Sequence, residues 1–289
     1  FGGFQELMHM PFVSTETFNA LNSHDWSPAE LSNPINENEP LMRGSLFGSL
    51  FSAINLNVKK GYSAMKFFEH GNVFRKVKNS FAQESNISGL IYFHESQKTW
   101  SDKSLQYDFY SLKAEVLKLL ETLRVQSIQL VPNSSSRIFT ANAMDIFAGK
   151  KKIGMLGEIN PTATQKLIKN PAFGFEIYPE NISTKSSTLK LKPVSKFPSS
   201  SRDLNILISQ SYTYAEIETV LLNSKIKFLH SLALANTFEG KGIPDGSISM
   251  TLRFMFQSPV KSLKESEINT SMDKAFHLLN KALKAKIRS

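Results

Sequence analysis

The feature that most restricts the fold of this chain is a two-residue alternation between Ser249 and Phe256. Successive side chains of a strand point to opposite faces of a sheet, so a period of two predicts a strand. One face of that strand is apolar and suits a core, and the other is largely polar. The polar set is Ser249, Thr251, Arg253 and Met255, and the apolar set is Met250, Leu252, Phe254 and Phe256.

Around that strand, helix and strand patterns alternate in the order strand, helix, strand, strand, helix. A short last strand at 286–288 would complete the βαββαβ order of a ferredoxin-like domain. Ser262 and Glu265 have the spacing of a capping box, which predicts the start of the last helix. The predicted elements are 203–209, 214–223, 231–238, 248–257 and 265–283.

The part of the chain before residue 186 combines many strand patterns with two amphipathic helices, at 45–58 and 109–123. We therefore expect an α+β fold with an antiparallel sheet flanked by helices. A hairpin is predicted around 149–152. The predicted strands are 66–69, 87–94, 127–131, 143–148, 153–158 and 173–177.

A change in charge accompanies the change in pattern. Residues 1–189 carry 19 basic and 17 acidic side chains, whereas residues 190–289 carry 15 and 8. The polar segment between them is typical of a connector. The predicted domains are 1–185 and 197–289, joined by a connector at 186–196. A basic surface attracts nucleic acid or an anionic surface, although it also serves solubility alone.

Several classes of protein are excluded. A chain with 41% hydrophobic and 20% charged residues is globular, and it has no cysteine for disulfides, thiolate zinc sites or nucleophiles. We expect no membrane partner, because no apolar run reaches the roughly 18 residues of a spanning helix. Since the chain begins with Phe1, we expect a piece of a longer protein. The six histidines lack metal-ligand spacing, and no G-x-S-x-G or phosphate-binding loop occurs, so we predict no catalytic residue and no metal site.

Several motifs of the last third resemble the ferredoxin-fold anticodon-binding domain of the bacterial phenylalanyl-tRNA synthetase beta subunit family. They are residues 237–246 (TFEGKGIPDG), 249–254 (SMTLRF) and 256–259 (FQSP). The first part is similar to the catalytic-like module of the same family. Its motifs are 33–35 (NPI), 42–46 (MRGSL), 68–74 (FEHGNVF), 108–113 (DFYSLK) and 157–161 (GEINP).

The resemblance implies a class II synthetase-like module that has lost its active site, since the chain lacks G-x-G-x-x-x-E-R and Arg-x-Glu segments for ATP. It also implies a catalytic alpha subunit as partner, in a two-plus-two heterotetramer that charges phenylalanine tRNA with ATP and magnesium in the cytoplasm. No cofactor is expected on this chain itself. The expected subunit contact is Met42, Arg43, Leu46, Leu50 and Ile54, although the same apolar stripe suits an internal core equally.

For the anticodon, the family's D-x-Y-x-G positions and the following strand serine correspond to Asn236, Phe238 and Ser249. Arg202 and Arg253 are candidate phosphate contacts. Regular two-residue alternation along this strand would put Asn236 and Phe238 on the same face as Leu232 and Leu234, which look like core residues. Either the strand bulges or ends before Asn236, or Phe238 is buried and provides no platform for a base.

Two other functions remain open at this stage. A general basic RNA-binding protein would bind without regard to the anticodon, with affinity that falls steeply with salt. A self-sufficient class II ligase built on the first part would activate an amino acid by itself.

Overall fold

A computed structural model describes residues 2–21, 26–93, 107–162, 171–183 and 194–288. Backbone contacts divide the chain into two compact units, Phe1–Thr188 and Leu189–Ser289. Residues 186–193 of the expected connector, together with His24 and His94, lie outside the described residues. Within the described ranges, no helix is long and apolar enough to cross a membrane.

The first unit is built on a seven-stranded sheet in the order β1-β5-β6-β10-β9-β8-β7. All neighbours are antiparallel except β1 and β5. A second, three-stranded sheet has the order β2-β4-β3. The strands are β1 (Gln5–Glu6), β2 (Phe12–Val13), β3 (Ala29–Glu30), β4 (Leu41–Met42), β5 (Ala64–Val77), β6 (Ser80–Phe93), β7 (Ile128–Pro132), β8 (Phe139–Ala148), β9 (Lys151–Ile159) and β10 (Ala172–Ile177).

Within the described residues, three α-helices accompany these strands: α1 (Thr15–Leu21), α2 (Phe47–Lys59) and α3 (Phe109–Thr122). The side chain of Asp108 caps α3, because its Oδ1 accepts a hydrogen bond of 2.8 Å from the Ser111 backbone N–H. Hydrogen bonds from Ser111 lower the pKa of Asp108. This capping gives the 108–113 motif a structural purpose.

The large sheet lies between α2 and α3, and each helix buries one apolar stripe on it. The core on the α2 side contains Phe47, Leu50, Phe51, Ile54, Phe67 and Leu90. The core on the α3 side contains Ile91, Leu112, Val116, Leu120, Phe173 and Phe175. Every residue of β10 is buried, as expected for a strand that is covered on both faces.

The residues expected to contact an alpha subunit lie mainly inside this core. Leu46, Leu50 and Ile54 are completely buried within the chain, and Arg43 is buried as well. Only Met42, on the small sheet, is partly exposed. The prediction of a partner surface is therefore corrected for these four side chains, because the apolar stripe of α2 is used for internal packing.

Arg43 is held in the core by a buried ion pair. Its Nη1 is 2.6 Å from Oε1 of Glu69, and its Nε donates to the carbonyl oxygen of Asn72 at 2.9 Å. His9 contacts the other carboxylate oxygen of Glu69 at 2.8 Å. A buried charge needs such partners. Arg43 thus links β4 to β5 instead of facing a partner.

The second unit has the βαββαβ order that the sequence predicts. Its sheet has the order β12-β13-β11-β14, and all pairs are antiparallel. Both helices cover one face, where Leu252, Phe254 and Phe256 meet Ile217 and Leu279. The elements are β11 (Ser200–Ser209), α4 (Tyr214–Asn223), β12 (Leu229–Phe238), β13 (Ser247–Phe256), α5 (Glu265–Leu283) and β14 (Lys286–Ile287).

Two details differ from the sequence predictions. The start of α5 is correct, but the expected capping box of Ser262 and Glu265 is wrong, because Lys264 is the N-cap and Glu267 accepts its backbone N–H at 3.0 Å. In the first unit, β5 and β6 form a hairpin far longer than 66–69 and 87–94. Its outer half is mainly exposed or half-buried, with Val73 as its one buried apolar side chain, so it lacks the regular apolar alternation of a half-buried strand.

We expect Leu50→Ala to destabilise the first unit by about 2–5 kcal/mol, because it leaves a cavity between α2 and the sheet. The matched control is Leu56→Ala on the same helix, whose side chain is 54% exposed and whose loss should change stability by less than about 0.5 kcal/mol. Both tryptophans, Trp26 and Trp100, belong to the first unit, so denaturant unfolding followed by tryptophan fluorescence reports on it. Equal losses in the two variants would contradict the burial of α2.

Candidate nucleic-acid interface

The open face of the second sheet is organised by β13, which pairs with β12 on one side and β11 on the other. Residues directly opposite each other in such pairs share a face. Ser249 lies opposite Phe238 and Leu207, and Thr251 lies opposite Asn236 and Asn205. The helices cover the other face, so these side chains lie together on the face that the helices leave open.

A β-bulge places Asn236 and Phe238 on that open face. Leu234 pairs with Leu252 on the core side, and the next paired residue is Asn236, opposite Thr251. Ala235 is therefore an extra residue, and it reverses the alternation of β12 beyond it. Of the two possibilities that the sequence left open, the structure has the bulge, and Phe238 is 44% exposed instead of buried.

The open face contains a cleft of about 270 Å³. All three residues that the resemblance assigned to the anticodon lie in its wall. The wall is formed by Asn205, Asn236, Phe238, Ser249, Thr251 and Arg288. An aromatic ring with several hydrogen-bonding groups around it can stack on a nucleobase and contact its edge.

The polar groups of the wall come from three neighbouring strands. Thr251 Oγ1 donates to Asn205 Oδ1 at 2.8 Å, which occupies the amide oxygen and leaves the Asn205 NH2 group as a donor. The Asn236 amide supplies both a donor and an acceptor, and the Ser249 hydroxyl supplies either. The cleft therefore offers uncharged groups for reading a base edge.

Arg288 is a member of the cleft that sequence reasoning missed. Its guanidinium carbon is 5.2 Å from the centroid of the Phe238 ring, within the range of a cation–π contact. Its backbone N–H donates to the carbonyl oxygen of Asn205 at 3.0 Å. The signal in the sequence was the predicted short last strand at 286–288. Its pairing places Arg288 beside β11, and only the structure shows that the side chain reaches Phe238.

Arg253 lies on the open face but is already paired. Its Nε and Nη2 donate to the two carboxylate oxygens of Asp203 at 2.8 and 2.7 Å. The hydrogen bond from Arg253 lowers the pKa of Asp203, and the same pair raises the pKa of Arg253. A phosphate would compete with Asp203 for the guanidinium, which weakens the candidacy of Arg253 as a phosphate contact.

Arg202 is not brought to the cleft. It lies opposite Phe254 in the pairing of β11 with β13, which puts it on the side of the helices. Its Nη2 is 3.7 Å from a carboxylate oxygen of Glu265 at the start of α5. The expectation that Arg202 acts with Phe238 is therefore corrected, because the parity of β11 sends the two side chains to opposite faces.

The described part of the chain contains no group of three or more histidine and carboxylate side chains that could hold a metal ion. The buried carboxylates of the first unit have structural partners. Glu69 bridges Arg43 and His9, and Glu176 accepts hydrogen bonds from Ser45 and Ser88 at 3.4 and 3.2 Å.

Comparison with known proteins also divides the chain into two parts. Residues 2–178 match the model of the phenylalanyl-tRNA synthetase beta chain CLM domain, and residues 195–288 match that of the ferredoxin-fold anticodon-binding domain. The phenylalanine–tRNA ligase beta subunit of Legionella pneumophila (strain Lens) is 27% identical over 93% of this chain and 34% of its own length. The same subunit of Idiomarina loihiensis is 28% identical over 99% of this chain and 36% of its length.

Among solved structures, pyrrolysyl-tRNA synthetase of Desulfitobacterium hafniense covers 62% of this chain and 61% of its own, with 14% identity and a TM-score of 0.46. The chain spans about a third of the length of the curated relatives it matches.

The ferredoxin-like unit with its cleft and the preceding synthetase-type module define a subunit of the aminoacyl-tRNA synthetase class. The match to residues 2–178 covers more than half of the chain. The chain belongs to the phenylalanyl-tRNA synthetase beta chain family.

We expect Asp203→Asn to strengthen binding of single-stranded RNA several-fold and to steepen its salt dependence by about 0.7, because it frees Arg253 for one phosphate. Asp203 has a lowered pKa, so the stability that the ion pair contributes is present at neutral pH and is lost as the pH falls through that lowered pKa. The difference in binding should persist down to the same acidic range.

The matched control is Asp273→Asn, which removes the same charge from the exposed surface of α5. Binding titrations at two salt concentrations measure both effects. An unchanged salt dependence in Asp203→Asn, or the same change in both variants, would show that Arg253 gains no phosphate contact.

Proposed function

We propose that this chain is the part of a phenylalanine–tRNA ligase beta subunit that binds the tRNA anticodon with its second unit. The observation that supports this most directly is the exposed ring of Phe238 in a cleft lined by uncharged hydrogen-bonding groups. The match to an anticodon-binding domain over residues 195–288 adds to it.

In the proposed complex, an unstacked anticodon base lies against the Phe238 ring. Stacking on an aromatic side chain contributes about 1–3 kcal/mol per base and does not by itself distinguish bases. Selectivity then depends on the amides of Asn236 and Asn205 and on the Ser249 hydroxyl, which contact the base edge. At position 236 this chain has no carboxylate, so its recognition rests on hydrogen bonds without a formal negative charge.

The role of the first unit is proposed to be structural, as a module that packs with the catalytic alpha subunit in a two-plus-two heterotetramer. Because Leu46, Leu50 and Ile54 are buried in this chain, the contact must use other side chains. Exposed apolar residues such as Met8, Met10 and Ile35 are suited to such a contact.

The ATP-dependent charging of tRNA with phenylalanine is proposed for the complete cytoplasmic complex. We propose that this chain does not itself hold ATP or magnesium. The sequence lacks the G-x-G-x-x-x-E-R and Arg-x-Glu segments, and the described residues contain no group of metal-ligating side chains. We therefore assign no chemical step to this chain and propose that its contribution is binding and orientation of the tRNA.

The first test compares phenylalanine tRNA with the same tRNA carrying a permuted anticodon. We expect the permuted anticodon to bind several-fold more weakly to the unaltered chain. Phe238→Ala should weaken binding of the native tRNA by about 5- to 150-fold, the equivalent of 1–3 kcal/mol, and remove most of the difference between the two tRNAs.

A suitable control is Phe81→Ala, which removes a 63% exposed phenylalanine from the first unit. It should leave both affinities unchanged. If the unaltered chain binds the two tRNAs equally, with a salt slope set only by the number of phosphates, the general RNA-binding function replaces the anticodon function.

The chain alone is expected not to activate phenylalanine. In an ATP–pyrophosphate exchange assay it should give the background rate, whereas the complex with an alpha subunit should be active. Exchange above background by the purified chain, proportional to its concentration, would instead support the self-sufficient ligase.

A further inference from the structure

The last strand of the chain brings a cation to the anticodon cleft. In the pairing of β14 with β11, Lys286 lies opposite Leu207, and Leu207 lies opposite Ser249 on the open face. Side chains two residues apart on a strand share a face, so Arg288 lies on the open face too. Its backbone hydrogen bond to Asn205 continues the pairing and fixes its position.

The guanidinium of Arg288 covers part of the Phe238 ring, with its central carbon 5.2 Å from the ring centroid. A phenylalanine has no hydroxyl with which to fix its ring by a hydrogen bond. The ring lies at the end of β12, just before the 239–246 loop, and Phe238 is 44% exposed. The guanidinium of Arg288, which follows β14 at the other edge of the sheet, therefore provides a restraint that the side chain itself lacks.

Arg288 is also the arginine of this domain that is available to the cleft. Arg253 is held by Asp203, and Arg202 lies on the other face with Glu265. Within the described residues, no carboxylate forms an ion pair with Arg288, and the cleft wall contains no acidic residue. Among the described residues of the cleft wall, Arg288 is the one that carries a charge.

We propose that Arg288 is a positioning residue of the anticodon site, which holds the ring of Phe238 in the orientation that stacks on the base. This inference rests on the proposed function. A planar, weakly hydrated guanidinium stacks on an aromatic ring, whereas a lysine ammonium acts as a strongly hydrated point charge. The charge of Arg288 and its stacking on the ring can therefore be separated by substitution.

The test uses the full chain with Arg288→Ala and Arg288→Lys, and Lys281→Ala on the exposed surface of α5 as a control for charge. We expect Arg288→Ala to weaken binding of phenylalanine tRNA at least fivefold and to reduce the preference over the permuted anticodon. Arg288→Lys should keep the salt slope of the unaltered chain but not its preference. Lys281→Ala should keep the preference, and thermal unfolding should show that all variants remain folded.

A double-mutant cycle with Phe238→Ala tests the inference even if the chain does not discriminate anticodons. If Arg288 acts through the ring, Arg288→Ala changes RNA affinity in the Phe238→Ala background no more than Lys281→Ala does. If the chain shows no anticodon preference but the cycle still shows coupling between Arg288 and Phe238, the proposed function is overturned and the positioning role is kept. Full preference in Arg288→Lys, or additive effects in the cycle, would overturn the positioning role.

Discussion

One unpaired residue, Ala235, sets the composition of the face on which the proposed function depends. Up to Leu234, the apolar positions of β12 face the helices, and beyond the bulge the same alternation continues with the faces exchanged. Without the extra residue, Asn236 and Phe238 would lie on the side of Leu232 and Leu234. The bulge costs one backbone pair in an edge strand, and three further pairs with β13 follow it. In return, an aromatic ring and an amide join Ser249 and Thr251 on the open face.

The second determinant is the pairing of charges. The basic side chains of the second unit are not equivalent, because ion pairs with Asp203 and Glu265 hold Arg253 and Arg202, whereas Arg288 lies against an aromatic ring. Ion pairs between exposed groups generally contribute little to stability, and the bidentate geometry of Arg253 and Asp203 is the more favourable case. The pairing does, however, decide which cations are available to a polyanion. A polyanion must displace a carboxylate from Arg253 or Arg202 but, within the described residues, not from Arg288. Excess positive charge in the second unit therefore indicates a polyanionic partner but does not identify the contacting residues.

In the first unit, motifs that the family resemblance brought to attention have internal purposes. The 42–46 segment provides Arg43 for Glu69, Ser45 for Glu176 and Leu46 for the core under α2. Asp108 caps α3. A sheet covered by helices on both faces needs such polar links, since buried carboxylates without partners would destabilise it. These contacts tie the 42–46 segment to β5 and β10, and the partner surface that we propose for the module lies outside the α2 stripe.

The sequence by itself determined the α+β class, the βαββαβ order and the bounds of α4 and α5, because residue periodicity and turn residues are local signals. The assignment of Asn236, Phe238 and Ser249 to the anticodon rests on the family resemblance, whereas the residue pattern alone left the face of Phe238 open. The sequence could not show the outer half of the β5–β6 hairpin, because backbone pairing with little burial leaves no regular apolar alternation.

Only the tertiary structure decided that Phe238 is exposed, that Arg288 joins it and that Arg202 does not. Each of these outcomes depends on which residues of different strands lie opposite one another. That register is set by pairing between distant segments, and a shift of one residue sends a side chain to the other face of the sheet.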